Sequence, residues 1–523
     1  MRERRGEVVP GTPAKGGWSR AGADHGADTT ADERLTASFV GIERTYSGAI
    51  DWAPADAPAL WVYHLHYFDD LPSSIDAVAP EWKARLIERW IEENPPIEGA
   101  GWDPYPTSRR IANWTRWILE GGPGELLEER MLQSLALQAR HLERNLEYHL
   151  LGNHLLANAK GLVAAGLLFA GEEGEQWLDR GLSLLEQELD YQVLEDGGHI
   201  ERSPMYHAVL LDDLLDLLNL LRASGEARHI AEGLIDGAAS MLDWLAAMSH
   251  PDGGPAFFND TAKGAAPTLA ELAGYALRLG VRWRPSAFPS IHTLDPSGYV
   301  RLASRDGRTV VFFDAAGPIG PNEQPGHGHA DALSFEVSRD GHRLFVNSGV
   351  STYGRTPERL AERGTAAHNT ARIDGVEQSE VWASHRVGRR ARPVRSGTAN
   401  GTVFAAHDGY TRLPGRPVHE RRLRLDDGAL TVTDRFEGTG DHRLEWLFHL
   451  HPDCEGSVEG RNVLVRRAGR DVARLEVPEG VEVSVTAGLW HPGFHTSLEN
   501  LRIVGTADAT LPAAFGIAIH WLD

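Results

Sequence analysis

The chain has 523 residues, enough for two or three domains that each bury a core of their own. With 41% hydrophobic and 24% charged residues and no apolar run long enough to cross a bilayer, it reads as a globular protein without membrane insertion. Lys and Arg number 52 against 74 Asp and Glu, a formal charge of −22 that argues against nucleic acid as the main partner. An anionic sugar remains compatible, because a pocket can be locally positive inside an acidic protein. A single cysteine, Cys454, rules out an intrachain disulfide framework.

In chain order, residues 1–48 are rich in Arg, Gly, Asp and Thr and read as a disordered tail. Arg4-Arg5 is followed by no apolar stretch, so the chain as written is expected in the cytoplasm, or in the periplasm if its start is mis-assigned. Residues 49–285 form a helical domain. Apolar residues return every three or four positions in segments 81–94, 107–121, 124–148, 152–169, 174–192, 204–224, 227–248 and 268–279. Short breakers such as Gly121-Gly122-Pro123-Gly124 and Gly197-Gly198 separate them. Stacked antiparallel hairpins result, in a toroid or a solenoid. Over 286–523 the period becomes two, in runs such as Val310–Phe313, Leu333–Val337, Leu344–Val346 and Leu430–Thr433. That pattern reads as an antiparallel β-sandwich, with a site expected at the junction of the two domains.

Three polar clusters stand apart from this patterning. Gly152-Asn153-His154 opens a helix on which His154 and Asn158 share a face; Asn153 as a helix cap and His154 as a hydrogen-bonded core histidine is the competing reading. Gly197 through His207 crowds Arg202, Tyr206 and His207 into one turn, although Ser203 and Pro204 are explained as helix-start residues. Gly326-His327-Gly328-His329-Ala330-Asp331 precedes a strand, with Ala367-His368-Asn369 further on. Its His-x-His spacing suits a metal, catalysis or simply a solvated loop. No Walker loop, HExxH or GxSxG pattern accompanies these clusters.

In this order the clusters resemble the heparinase II/III family of polysaccharide lyases. Trp61–Leu71, Trp102-Asp103-Pro104-Tyr105-Pro106 with Arg109, Phe258-Asn259-Asp260 and Trp490-His491-Pro492 extend the resemblance from about residue 55 to the end. It implies an incomplete (α/α) toroid followed by an antiparallel β-sandwich, with β-elimination at a uronic acid of an anionic polysaccharide or oligosaccharide. That reaction needs the carboxylate neutralised, a base for the weakly acidic C5–H and an acid for the O4 leaving group. By resemblance, Asn153 and His154 would bind the carboxylate, Tyr206 would be base, acid or both, and His327 its partner base. Trp102, Tyr105, Arg109, Arg202 and His207 are the expected substrate contacts, with Arg202 also the cation that would help Tyr206 ionise. No cofactor is required for catalysis. The family also implies a structural zinc, for which His329 and His368 match two ligands and Asn347 stands where an aspartate is usual; asparagine is a neutral, weaker ligand.

Two other classes compete. A glycoside hydrolase would need two facing carboxylates, for which Glu195, Asp196, Glu201, Asp213 and Asp260 are the candidates. A non-catalytic or biosynthetic carbohydrate-binding protein of exopolysaccharide assembly is the third reading.

Overall fold

The computed structural model describes residues 7–21, 34–71, 80–122, 125–316 and 325–522. Arg4-Arg5 and Pro123-Gly124 lie outside them. Helices follow the apolar period closely: α1 (Ala59–His64), α2 (Pro80–Glu93), α3 (Pro104–Leu119), α4 (Glu125–Arg144), α5 (Gly152–Leu168), α6 (Glu172–Gln192), α7 (Pro204–Ser224), α8 (Arg228–Ala247) and α9 (Leu269–Arg278). Of these, α1 was not foreseen, being too short to show a period, and the same holds for a later short helix at Pro357–Arg363. No described helix is long and apolar enough to cross a membrane.

The chain divides into two compact units, one formed by 1–193, 208–242 and 264–284 and the other by 194–207, 243–263 and 285–523. In the first, α5 is apolar around nearly its whole circumference and buried along its length, so it forms the centre of that unit. A Cβ on Gly166 would lie 2.5 Å from the Leu178 backbone nitrogen, and one on Gly181 2.8 Å from that of Val163. These two glycines let α5 and α6 approach backbone to backbone.

Within the expected disordered tail over 1–48, the described residues 7–21 and 34–48 are structured, and the rest lies outside the described residues. β1 (Gly17–Ala21), β2 (Arg34–Phe39) and β3 (Ile42–Ser47) form an antiparallel sheet. Trp18 packs 5.4 Å from Trp52, and apolar alternation along β2 buries Leu35, Ala37 and Phe39. Upstream, the Val9 carbonyl accepts from Arg116 and Thr12 donates to Asp212, so this segment is tied to α3 and α7. Polar composition concealed a strand whose apolar face is only three residues long.

The second unit holds two larger antiparallel sheets. A five-stranded sheet runs in sequence order through β4 (Ile291–Leu294), β5 (Tyr299–Ala303), β6 (Thr309–Asp314), β7 (Phe335–Arg339) and β8 (His342–Phe345). Then come a short helix, α10 (Pro357–Arg363), β9 (Ala371–Ile373) and a hairpin of β10 (Glu380–Trp382) and β11 (Arg386–Gly388). The ten-stranded sheet is completed by β12 (Pro393–Ala399), β13 (Thr402–His407), β14 (Val418–Leu425), β15 (Ala429–His449), β16 (Cys454–Glu459), β17 (Asn462–Arg467), β18 (Arg470–Glu476), β19 (Glu482–Gly493) and β20 (Thr496–Trp521). Residues from both sheets, among them Phe335, Phe345 and Phe448, share one buried cluster, the packed interior of a sandwich. The 194–207 and 243–263 segments belong to this unit, which brings Tyr206 and Asp260 into the body that carries His327.

Candidate active site

Asp260 is the hub of the site. Its Oδ2 accepts from His327 Nδ1 at 2.9 Å and from Arg359 Nη2 at 2.7 Å; its Oδ1 accepts from His329 Nε2 at 2.8 Å and from Arg359 Nη1. Burial would push this carboxyl up, but Arg359 and the two histidine hydrogen bonds outweigh it and hold the group well below the usual carboxylate range. Asp260 is therefore ionised and can only accept. The neutral tautomer of His327 that this contact selects has its hydrogen on Nδ1 and its lone pair on Nε2.

Tyr206 lies flat on this imidazole, with ring centroids 3.8 Å apart and planes 28° from parallel. Its backbone is fixed by the helix start foreseen in the sequence: the Ser203 hydroxyl accepts from the Tyr206 N–H and donates to the Asp260 carbonyl. The Tyr206 hydroxyl is 3.0 Å from that of Tyr353. Burial, then Tyr353 and Asp260, push the Tyr206 phenol well above its ordinary value, so it holds its proton. Asn259, at a left-handed φ of 53°, supports the same geometry; its side chain accepts from the His329 N–H and donates to the Arg202 carbonyl.

Several of the expected contacts are buried and partnered within the protein. Arg202 is buried in an ion pair with Asp314 at 2.7 Å and donates to the Ser297 carbonyl, so its charge is already matched away from Tyr206. His207 is buried and stacked on Trp244, 4.4 Å between centroids. Trp102 is buried against Trp90 and His141 and offers no open ring face. Each sits on the inward side of its helix or turn, which spacing alone did not distinguish from the outward side.

In the helical unit, His154 Nδ1 donates to Glu147 Oε1 at 3.1 Å, and Asn158, one turn on, donates to Glu147 Oε2 at 3.0 Å. The shared face read from their spacing thus converges on one carboxylate. Tyr105 packs on His154 with centroids 4.6 Å apart. Asn153 is buried beside them, just after the left-handed pair Leu151 (φ 56°) and Gly152 (φ 55°). Arg109, 16% exposed, pairs with Asp213 at 2.7 Å and Asp69 at 2.9 Å, in an ion network that includes Lys160.

The donor set does not fit a four-ligand zinc site. Nδ1 of His329 and Nε2 of His368 face each other at 3.1 Å, while the opposite nitrogens donate to Asp260 and to the Gly364 carbonyl. Two bare nitrogens therefore converge, yet Asn347 does not join them. Its Oδ1 accepts from the Asn369 N–H, and its Nδ2 donates to the Phe257 carbonyl and the Ser334 hydroxyl. Asp260, His327 and His385 also bring ligand atoms within 4.8 Å of one another. There, each Asp260 oxygen already takes two donors, so no lone pair is left for an ion.

Sequence reasoning weighed Asp260 only as a hydrolase carboxylate, and it missed Tyr353, Arg359 and His385. The Phe258-Asn259-Asp260 match was a signal for the first. Arg359 and Tyr353 gave none, since one lies in an ordinary short helix and the other in a loop.

A histidine held by an ionised carboxylate and stacked on a tyrosine thus lies in the sheet-bearing unit of a chain that runs from helices to antiparallel sheets. The chain belongs to the heparinase II/III-like family: residues 72–277 match the profile "Heparinase II/III N-terminus" and residues 289–522 match "Heparinase II/III-like, C-terminal". Among curated relatives it is 28% identical to FtsZ-localized protein C of Caulobacter vibrioides, over 77% of this chain and 72% of that one. It is 24% identical to a heparin-sulfate lyase of Bacteroides stercoris, over 67% of this chain and 60% of the enzyme's length. A heparinase III crystal structure superposes with a TM-score of 0.72 at 18% identity, covering 91% of this chain and 80% of that one. Heparan sulfate lyase HepC of Pedobacter heparinus gives 0.63 at 18% identity, over 92% and 80%. The fold is thus an incomplete (α/α) toroid followed by an antiparallel β-sandwich, as the sequence led us to expect.

Proposed function

We propose that this protein is a polysaccharide lyase that cleaves a uronic-acid-containing chain by β-elimination. The observation that carries this reading is the contact between His327, its Nδ1 tied to an ionised carboxylate, and Tyr206, whose phenol keeps its proton. A base and an acid side by side are what elimination needs. His327 takes the C5 proton; Tyr206 gives its proton to O4 as the glycosidic C4–O4 bond breaks and the C4–C5 double bond forms. Tyr353, bonded to the Tyr206 hydroxyl, stabilises the phenolate left behind until it is reprotonated. We assign carboxylate neutralisation to Asn153 and His154 on the resemblance alone.

Hydrolysis has weaker support. Asp260 is saturated, Asp213 is held by Arg109 and Lys160, and Asp196 accepts from Gly198 and Ser297; of the other two candidates Glu195 is exposed and Glu201 is buried 3.9 Å from His327 Nε2. A second reading, a carbohydrate-binding protein without turnover, is favoured by the similarity to FtsZ-localized protein C, a name that describes a location and no reaction. Absorbance of the conjugated double bond, followed with hyaluronan, heparan sulfate, alginate and bacterial exopolysaccharides, separates the two. A rise with one polymer, lost in Tyr206→Phe, supports elimination. A flat trace throughout, with wild type and variant alike, overturns it in favour of binding.

A further inference from the structure

Fourteen of the fifteen tryptophans are buried or half-buried; Trp382 is 56% exposed. It lies on the β10–β11 hairpin, where its register partner is Arg386. Residues directly opposite on antiparallel strands put their side chains on the same face. Gly388 and its register partner Glu380 share that face; a Cβ on Gly388 would lie 3.1 Å from Glu380 Oε2 and 3.9 Å from Trp382 Nε1. Arg386 is exposed and enters no ion pair among the described residues, whereas Arg389 is already held by Glu380 at 3.4 Å. An open indole thus stands beside an unmatched guanidinium.

The hairpin is also fixed to the active site. The Ser384 carbonyl at its turn accepts from Arg359 Nε at 3.0 Å and from Arg363 Nη1 at 2.9 Å. Arg359 is the residue that holds Asp260. His385 is anchored to the Gly326 carbonyl, with its ring 5.2 Å from Tyr353 and 6.0 Å from His327. Arg386 follows His385 directly in the chain and opens β11.

We propose that Trp382 and Arg386 form a subsite for the sugar residue next to the one that reacts at Tyr206 and His327. The inference rests on the lyase reading for which neighbour is meant, and on the hairpin itself for the binding. The indole takes the apolar C–H face of a pyranose, and the guanidinium takes its anionic group in a bidentate pair. One unmatched cation selects a sugar with one oxyanion, a carboxylate or a sulfate, over a neutral one.

The test measures binding first, in the full-length Tyr206→Phe protein so that no probe is consumed. Hexasaccharides of hyaluronan supply carboxylates alone, those of heparan sulfate add sulfates, and a neutral cello-oligosaccharide is the control. Trp382→Ala and Arg386→Ala should each raise Kd about tenfold on the acidic probe that binds, with Arg386→Lys recovering part of the loss. Whichever acidic probe responds identifies the oxyanion. In the otherwise wild-type protein the loss should appear in KM. Unchanged Kd in both alanine variants, or equal affinity for the neutral probe, overturns the subsite; so does a wild type that binds none of the probes. Elimination with unaltered KM in both variants sinks the subsite and leaves the lyase reading standing. Binding that depends on both residues, without elimination of any polymer, does the reverse.

Discussion

Tyr206 and His327 stack with their ring centroids 3.8 Å apart, so a hydroxyl can be removed from this pair without losing the packing. Tyr206→Phe should therefore fold as the wild type does and lose at least about a hundredfold in kcat, the usual scale for a general acid. Turnover within a few-fold of wild type would remove Tyr206 from the proton-transfer step.

Asp260 fixes the tautomer of His327 and also neutralises buried Arg359. Asp260→Asn keeps the shape but no longer guarantees a bare Nε2, and kcat per folded molecule should fall by at least about a hundredfold. The unmatched Arg359 should cost about 3–5 kcal/mol of stability, visible as a lower Tm. Full activity in the fraction that remains folded would show that His327 does not depend on this carboxylate.

Asp331 is buried, and its carboxyl is pushed up to about 7 by burial and then by Asp314. An unfolded aspartate titrates near 3.9, so between about pH 4 and 7 the folded protein binds more protons than the unfolded one. The contribution of this group is fully present below about pH 4 and is lost as pH rises through 7. Asp331→Asn, which keeps an acceptor for the Asn259 N–H, should flatten the stability profile across that window. Denaturant unfolding at pH 5 and pH 7.5 measures it; parallel profiles for the two proteins would contradict the assignment.

Asn347 uses both side-chain atoms within the protein, leaving His329 and His368, among the described residues, as the two converging donors at that locus. Elemental analysis after dialysis should therefore find well under one zinc per chain. A tightly held, stoichiometric ion that disappears in His368→Ala would mean that a third ligand joins these two histidines.

Much of the architecture was legible without coordinates because helices and strands are written locally. The period of three to four that ends near 280 and the period of two that follows are properties of neighbours in the chain, and α5, α7 and α8 begin and end within one or two residues of the expected positions. The face shared by His154 and Asn158 is local in the same way, and so is the Ser203-Pro204 helix start that orients Tyr206. What lies within one turn of helix could be read.

Tertiary structure decided the rest, because burial and long-range pairing are not local. Asp260 meets His327 across 67 positions and Arg359 across 99, and no periodicity encodes either contact. The same holds for which side of a turn faces inward. Arg202, His207 and Trp102 had the right residue types for binding sugar, yet they are buried against Asp314, Trp244 and Trp90, while exposed Trp382 and Arg386 drew no attention. The sequence by itself determined the order of elements and the residues able to do acid–base chemistry. The fold determined their partners, and with them the tautomer of His327 and the proton on Tyr206, because a charge or hydrogen bond acts over a few ångströms of space whatever the distance along the chain.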